Sequence, residues 1–155
     1  MPLLRAALSW NFVLATAICA SLLAQLIKVL LNLFIFHRFI AERMWGAGGM
    51  PSSHSATVCA MVVATGRYCG VNSPIFAIAA VLSIIVMYDA MGVRYETGEQ
   101  AKVLNRMFTE WMDQGFEQFQ LPHGKKLKEM VGHTPIEVLT GAALGIVLGF
   151  AMPMV

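Results

Sequence analysis

Charge is what this sequence has least of. Only 13% of its 155 residues are Asp, Glu, Lys or Arg, against about a quarter in an ordinary soluble domain. By contrast 57% are hydrophobic, and the mean hydropathy is +0.66. No long block of like charge occurs, and a formal net charge of +2 is too small to indicate a nucleic acid as partner. Cysteine is scarce as well. Cys19, Cys59 and Cys69 are odd in number and lack a metal-ligand spacing such as C-x-x-C, so they read as packing residues. What remains is the composition of a membrane protein.

A bilayer core takes about 20 predominantly apolar residues to cross as a helix. Four stretches come near that, at about 10–36, 52–70, 74–93 and 135–154. Lys28 interrupts the first, the second fades near Arg67 and Gly70, and the third is strongly apolar until Asp89. The expected fold is therefore all-α: one domain over 1–155, a polytopic membrane bundle of about four transmembrane helices with a polar connection at 94–134. A cleavable signal peptide is the rival reading of the N-terminus, because Arg5 precedes an apolar run, but that run is long enough to span and no convincing cleavage site ends it. In the connection, Leu104, Met107, Phe108, Trp111 and Phe116 recur at helical spacing among polar residues. That pattern predicts an interfacial amphipathic helix from about Gly98 to Phe119, ended by Pro122 and Gly124. Its polar face is acidic, which suggests that the stripe packs partly on the protein, over the mouth of a site.

Arg38, Arg43, Arg94, Lys102, Arg106, Lys125, Lys126 and Lys128 fall in the first and third connections, against Arg5 and Arg67 on the other face. This asymmetry places both termini on the outer or lumenal face and the two polar connections on the cytoplasmic or equivalent face. With four antiparallel spans, Lys28, His54, Asp89, Arg94, His133 and Glu137 all sit at helix ends on that second face. An ionisable group at membrane depth costs at least about 2.5–3.5 kcal/mol on insertion scales, so such groups are functional candidates.

Two helix N-termini, each with a histidine, favour an anion. Ser52, Ser53 and Ser55 add hydroxyl donors, Gly48 and Gly49 allow close backbone approach, and Lys28 and Arg94 supply positive charge; phosphate suits these parts. Ser52 or Ser53 as a plain helix cap is the simpler alternative. His133 and Glu137 are four apart and share a helix face. The carboxylate can hold Nδ1–H and leave Nε2 free as a nucleophile toward phosphorus, while His54 protonates the leaving alkoxide. Two imidazoles without H-x-x-x-H or H-E-x-x-H spacing are a weak metal signal, so neither metal nor cofactor is expected; Asp89, Glu96 and Glu99 are the ligands that a metal-dependent reaction would bring forward.

"MPSSHSA" resembles the P-S-G-H motif of the type-2 phosphatidic acid phosphatases, the membrane lipid phosphatases related to vanadium-dependent haloperoxidases, and "GHTPIEVLTG" resembles the end of their third motif. The ordered set "AQLIK", "GGMPSSHSA", "YDAMGVRYETGEQAKVLN" and "LKEMVGHTPIEVLTGAALG", over residues 24–145, is similar to a small, divergent branch of that superfamily. The resemblance implies His133 as the nucleophile that becomes a phosphohistidine, His54 as acid, Glu137 as orienting carboxylate, Lys28 as a phosphate lysine, and chemistry without a metal. Ser53 stands where the motif has Gly, Glu137 where it has Asp, and Leu127 where an Arg is expected; Arg94 and Lys128 are candidate replacements for the missing arginines. Asp89 is expected to pair with Arg94 or Lys28.

The function so implied is hydrolysis of a lipid phosphomonoester: phosphatidate-like, phosphatidylglycerophosphate, or a polyprenyl phosphate or diphosphate. A vanadate-dependent oxidation lacks its arginine-rich cradle. The alternative of another class is a non-catalytic membrane protein that binds anionic headgroups or assembles other proteins. Gly141, Gly145 and Gly149 stack at four-residue intervals, a spacing that serves close helix packing within the protomer or a homo-oligomer interface.

Overall fold

A computed structural model describes residues 11–36, 49–114, 126–129 and 131–154. Among them the chain is helical, with no strand: α1 (Phe12–Phe36), α2 (Ser53–Cys69), α3 (Pro74–Met91), α4 (Val93–Asp113) and α5 (Pro135–Ala151). Short polar side chains start most of them by satisfying the N–H groups that a first turn leaves unpaired. Asn11 Oδ1 accepts from Leu14 N–H at 2.9 Å, and Ser73 Oγ accepts from Phe76 N–H at 3.2 Å. Pro74 and Pro135 stand at the first helical positions of α3 and α5, where a missing N–H costs nothing.

Helix α2 is central, packing on α1, α3 and α5. Its contacts are made of small residues: Ala20 and Ala24 of α1 meet Ala56 and Ala60 of α2, with Leu144 and Leu148 of α5 closing the cluster. The glycine stripe of α5 lies on the same helix. A Cβ on Gly141 would run into the Ser52 carbonyl oxygen, one on Gly145 into that of Ala56, and one on Gly149 would lie 2.6 Å from Val63 Cβ. Of the two uses open to Gly141, Gly145 and Gly149, the structure therefore realises packing within the protomer; an oligomer built on them would have to displace α2. At the far end Arg67 Nη1 donates to the carbonyls of Gly149 and Met152 at 2.6 and 2.8 Å, which caps α5.

The large apolar side chains point the other way. Leu14, Ile18, Leu22, Leu26 and Leu30 of α1 and Ile75, Ile78, Val81, Leu82 and Ile85 of α3 are exposed, while alanine, serine and threonine fill the interior. A water-soluble bundle buries such residues; a lipid-facing one displays them and packs on small residues. Two stretches, Phe12–Phe34 and Pro74–Asp113, are long and apolar enough to cross a membrane, and Pro135–Ala151 is a shorter apolar helix.

The amphipathic helix departs from expectation. It begins at Val93, because only Gly92 interrupts the chain after α3, and it ends at Asp113. Phe116, Phe119, Pro122 and Gly124 lie outside the described residues. The face that packs on the protein is Gly98, Ala101 and Asn105, whereas Leu104 and Met107 are exposed and Phe108 and Trp111 half-buried. Of the described stripe, Leu104 and Met107 are thus turned outward.

Candidate functional site

The buried face of α1 runs Thr16, Ala20, Ala24, Lys28, one residue per turn. Alanine lets α1 close on α2, and the same stripe then delivers Lys28, 2% exposed, to the N-terminal end of α2. Gly49 sits over its alkyl chain with φ +87°, a left-handed conformation that glycine adopts without penalty. Gly48 lies outside the described residues.

The N-termini of α2 and α5 are tied directly. Ser52 N–H donates to the Glu137 carbonyl at 3.0 Å. Ser52 itself is fully buried; its Oγ accepts from Ser55 N–H at 3.3 Å and from Ser55 Oγ at 3.0 Å. Its hydroxyl serves the helix cap, the simpler of the two roles open to it. Ser53 is buried at 8% exposure in the first turn.

His133 is held from three sides. Its N–H donates to the Ala90 carbonyl at 3.0 Å, its ring Nδ1 lies 3.1 Å from Glu137 Oε2, and its ring centroid is 6.3 Å from that of His54 at an interplanar angle of 65°. The imidazole is 2% exposed, and Nε2 has no hydrogen-bond partner among the described residues. With the proton on Nδ1, Nε2 carries a bare lone pair, and the neighbouring His54 is exposed. Burial pushes the His133 imidazole below the ordinary histidine range, opposed by the hydrogen bond and charge of Glu137 and assisted by Lys28 and His54. An unpaired polar atom in a buried position is costly unless a ligand completes it.

Glu137 does two things with one oxygen. Oε2 also accepts from Thr134 N–H at 3.0 Å, while Thr134 Oγ1 accepts from Glu137 N–H at 3.4 Å, a capping box that opens α5. The Thr-x-x-Glu spacing made this legible in the sequence, where only the histidine pairing was read.

Arg94 pairs with Asp89, Nε to Oδ2 at 2.5 Å, across the Gly92 junction, both about half exposed. Arg94, Lys28 and Asp89 all act electrostatically on His54, and Glu137 acts on Lys28. Lys28, His54, His133, Glu137, Asp89 and Arg94 therefore form one cluster. Lys128 does not join it: Leu127 is bonded to Asn105 and Glu129 lies on Gly98, so Lys128 is beside α4, about one to three turns beyond Arg94, and exposed. Among the described residues no three His, Cys, Asp or Glu side chains group as metal ligands; Glu99 is engaged by Lys102 at 2.6 Å, and Glu96 is exposed.

The chain matches the divergent PAP2 family over residues 9–148. A relative in Bacillus subtilis (strain 168), named the uncharacterized membrane protein YuiD, is 38% identical over 144 residues, covering 89% of this chain and 91% of the relative. No solved structure matches.

Proposed function

Because the chain belongs to the divergent PAP2 family, we propose that it is a membrane phosphatase that hydrolyses a phosphomonoester carried on a lipid, of the phosphatidate, phosphatidylglycerophosphate or polyprenyl phosphate class. The observation that carries this reading is the buried His133, with Nδ1 on Glu137, Nε2 unpartnered and His54 across from it. In the reaction Nε2 attacks phosphorus, the P–O bond to the lipid breaks, and His54 gives its proton to the departing alkoxide. Water, giving a proton to His54, then attacks phosphorus; the phosphorus–nitrogen bond breaks, phosphate leaves and both histidines are restored. Lys28 and Arg94 offset the negative charge that grows on the phosphoryl oxygens, and Arg94 exchanges Asp89 for phosphate as the headgroup arrives.

The bundle spans the bilayer four times through α1, α2, α3 and α5. The outward-facing leucines and isoleucines support this, and the 17-residue α2 and α5 are at the short end of what spans, about 17–25 residues. The site opens on the cytoplasmic or equivalent face, where α4 lies along the headgroups with Leu104 and Met107 toward the lipid. The test is phosphate release by the purified chain in mild detergent from a panel of lipid phosphates, with and without chelator. Release that persists with chelator and disappears in His133→Ala supports the reading; no release by the folded protein, or unchanged release in His133→Ala, overturns it.

A second reading has one observation in its favour: with Lys128 off the cluster, Lys28 and Arg94 are the cations left to it among the described residues. A site so reduced binds an anionic headgroup without turning it over. In the same assay it would retain lipid phosphate and release none.

A further inference from the structure

The described residues ahead of His133, 126–129 and 131–132, form no helix, yet they are fastened along α4. Asn105, 4% exposed on α4, closes a two-way clasp on Leu127: its amide nitrogen donates to the Leu127 carbonyl at 2.9 Å, and its oxygen accepts from Leu127 N–H at 2.8 Å. The same nitrogen donates to Glu129 Oε1 at 2.8 Å. A primary amide has the donor and acceptor needed to imitate a paired strand backbone. Nearer the site the two backbones touch. A Cβ on Gly98 would run into the Glu129 carbonyl oxygen, and one on Gly132 into the Tyr95 backbone. Beyond Gly132, His133 N–H reaches the Ala90 carbonyl.

We propose that Asn105 is a positioning residue for His133, fixing Leu127 and Glu129 on the approach to it so that the imidazole meets Glu137 and presents Nε2 to the site. The proposal rests on His133 being the nucleophile. Asn105 lies eleven residues along the helix from Arg94, about 16 Å at 1.5 Å per residue, so it acts only through this segment. Its buried amide spends all its bonds, as described, on Leu127 and Glu129. Without the clasp, the Ala90 bond and the glycine contacts are left to hold the approach to His133, and the imidazole gains freedom that a nucleophile cannot use.

Asn105→Asp keeps the size and the acceptor for Leu127 N–H, removes both donor contacts and sets a carboxylate against Glu129. Adding Glu129→Gln puts a donor back opposite it. Two readouts apply to the full chain in detergent: the His133 Nδ1 proton by NMR with 15N-labelled histidine, and kcat and KM on a short-chain lipid phosphate. In Asn105→Asp the proton signal is lost to solvent exchange and kcat falls about ten- to a hundredfold, the scale of a misplaced reacting group, with KM nearly unchanged. The double variant regains most of both. An unchanged signal and kcat in Asn105→Asp overturn the proposal, as does a loss that the double variant fails to reverse. If the wild type hydrolyses no lipid phosphate, the function proposed above falls, and the histidine signal alone decides the clasp: lost in the single variant and regained in the double supports it, retained in the single overturns it.

Discussion

Gly141→Ala adds one methyl group where α5 crosses the N-terminus of α2. In an isolated helix the change is favourable by about 0.5–1 kcal/mol. Here the new Cβ would strike the Ser52 carbonyl oxygen and lie 3.0 Å from Ser52 N, the atom whose hydrogen goes to the Glu137 carbonyl. Both obstacles are backbone, so relief comes only from parting the two helices. Overpacking of this kind costs about 1–3 kcal/mol, which outweighs the propensity gain and lowers the melting point by about 2–4 °C per kcal/mol in a chain of this size. The same shift moves His54 away from His133, and a displacement near 1 Å costs about a hundredfold in kcat. Gly149→Ala is the control, because its Cβ meets the Val63 side chain at 2.6 and 2.8 Å near the opposite end of α5. It should lower stability and leave kcat intact. Thermal unfolding in detergent and steady-state kinetics on one lipid phosphate read both variants. A Gly141→Ala protein with full kcat, or equal losses of kcat in the two variants, would refute the link between this crossing and the site.

His54→Ala should slow hydrolysis strongly for an alkyl phosphate and much less for an aryl phosphate whose leaving group needs no proton; equal slowing for both would remove His54 as the acid. Burial holds the His133 imidazole below the ordinary range and Glu137 pulls it up, so the neutral nucleophile prevails at neutral pH and activity falls as pH drops through the lowered pKa. Glu137→Gln removes the raising influence and should shift that acid limb of the kcat profile to still lower pH while reducing kcat; an upward shift contradicts the assignment. Arg94→Lys should lower kcat/KM about tenfold, because an ammonium cannot hold two phosphate oxygens as a planar guanidinium does; an unchanged kcat/KM would take Arg94 out of the phosphate contacts.

The helices were legible because apolar runs bounded by Asn11, Pro51–Ser52, Ser73–Pro74 and Thr134–Pro135 carry both their length and their starting signals. So was the convergence of Lys28, His54, His133 and Glu137, since helices that run antiparallel put those ends together whatever their packing. Three features were not. The start of α4 was missed because no Pro or polar turn precedes Val93, and Gly92 alone does not stop a helix. Whether Gly141, Gly145 and Gly149 face their own chain or another copy depends on which helix arrives, which spacing does not encode. Asn105 carries no local signal, because its partners Leu127 and Glu129 are more than twenty residues away.

The phosphoryl-enzyme is the most direct test of the central claim. Purified wild-type protein turning over a lipid phosphate labelled in its phosphoryl group is quenched in alkali, which preserves phosphohistidine, then digested and mapped. The account predicts label on His133, formed with chelator present and absent from His133→Ala. Label on another residue, or sustained phosphate release by a His133→Ala protein, would contradict it.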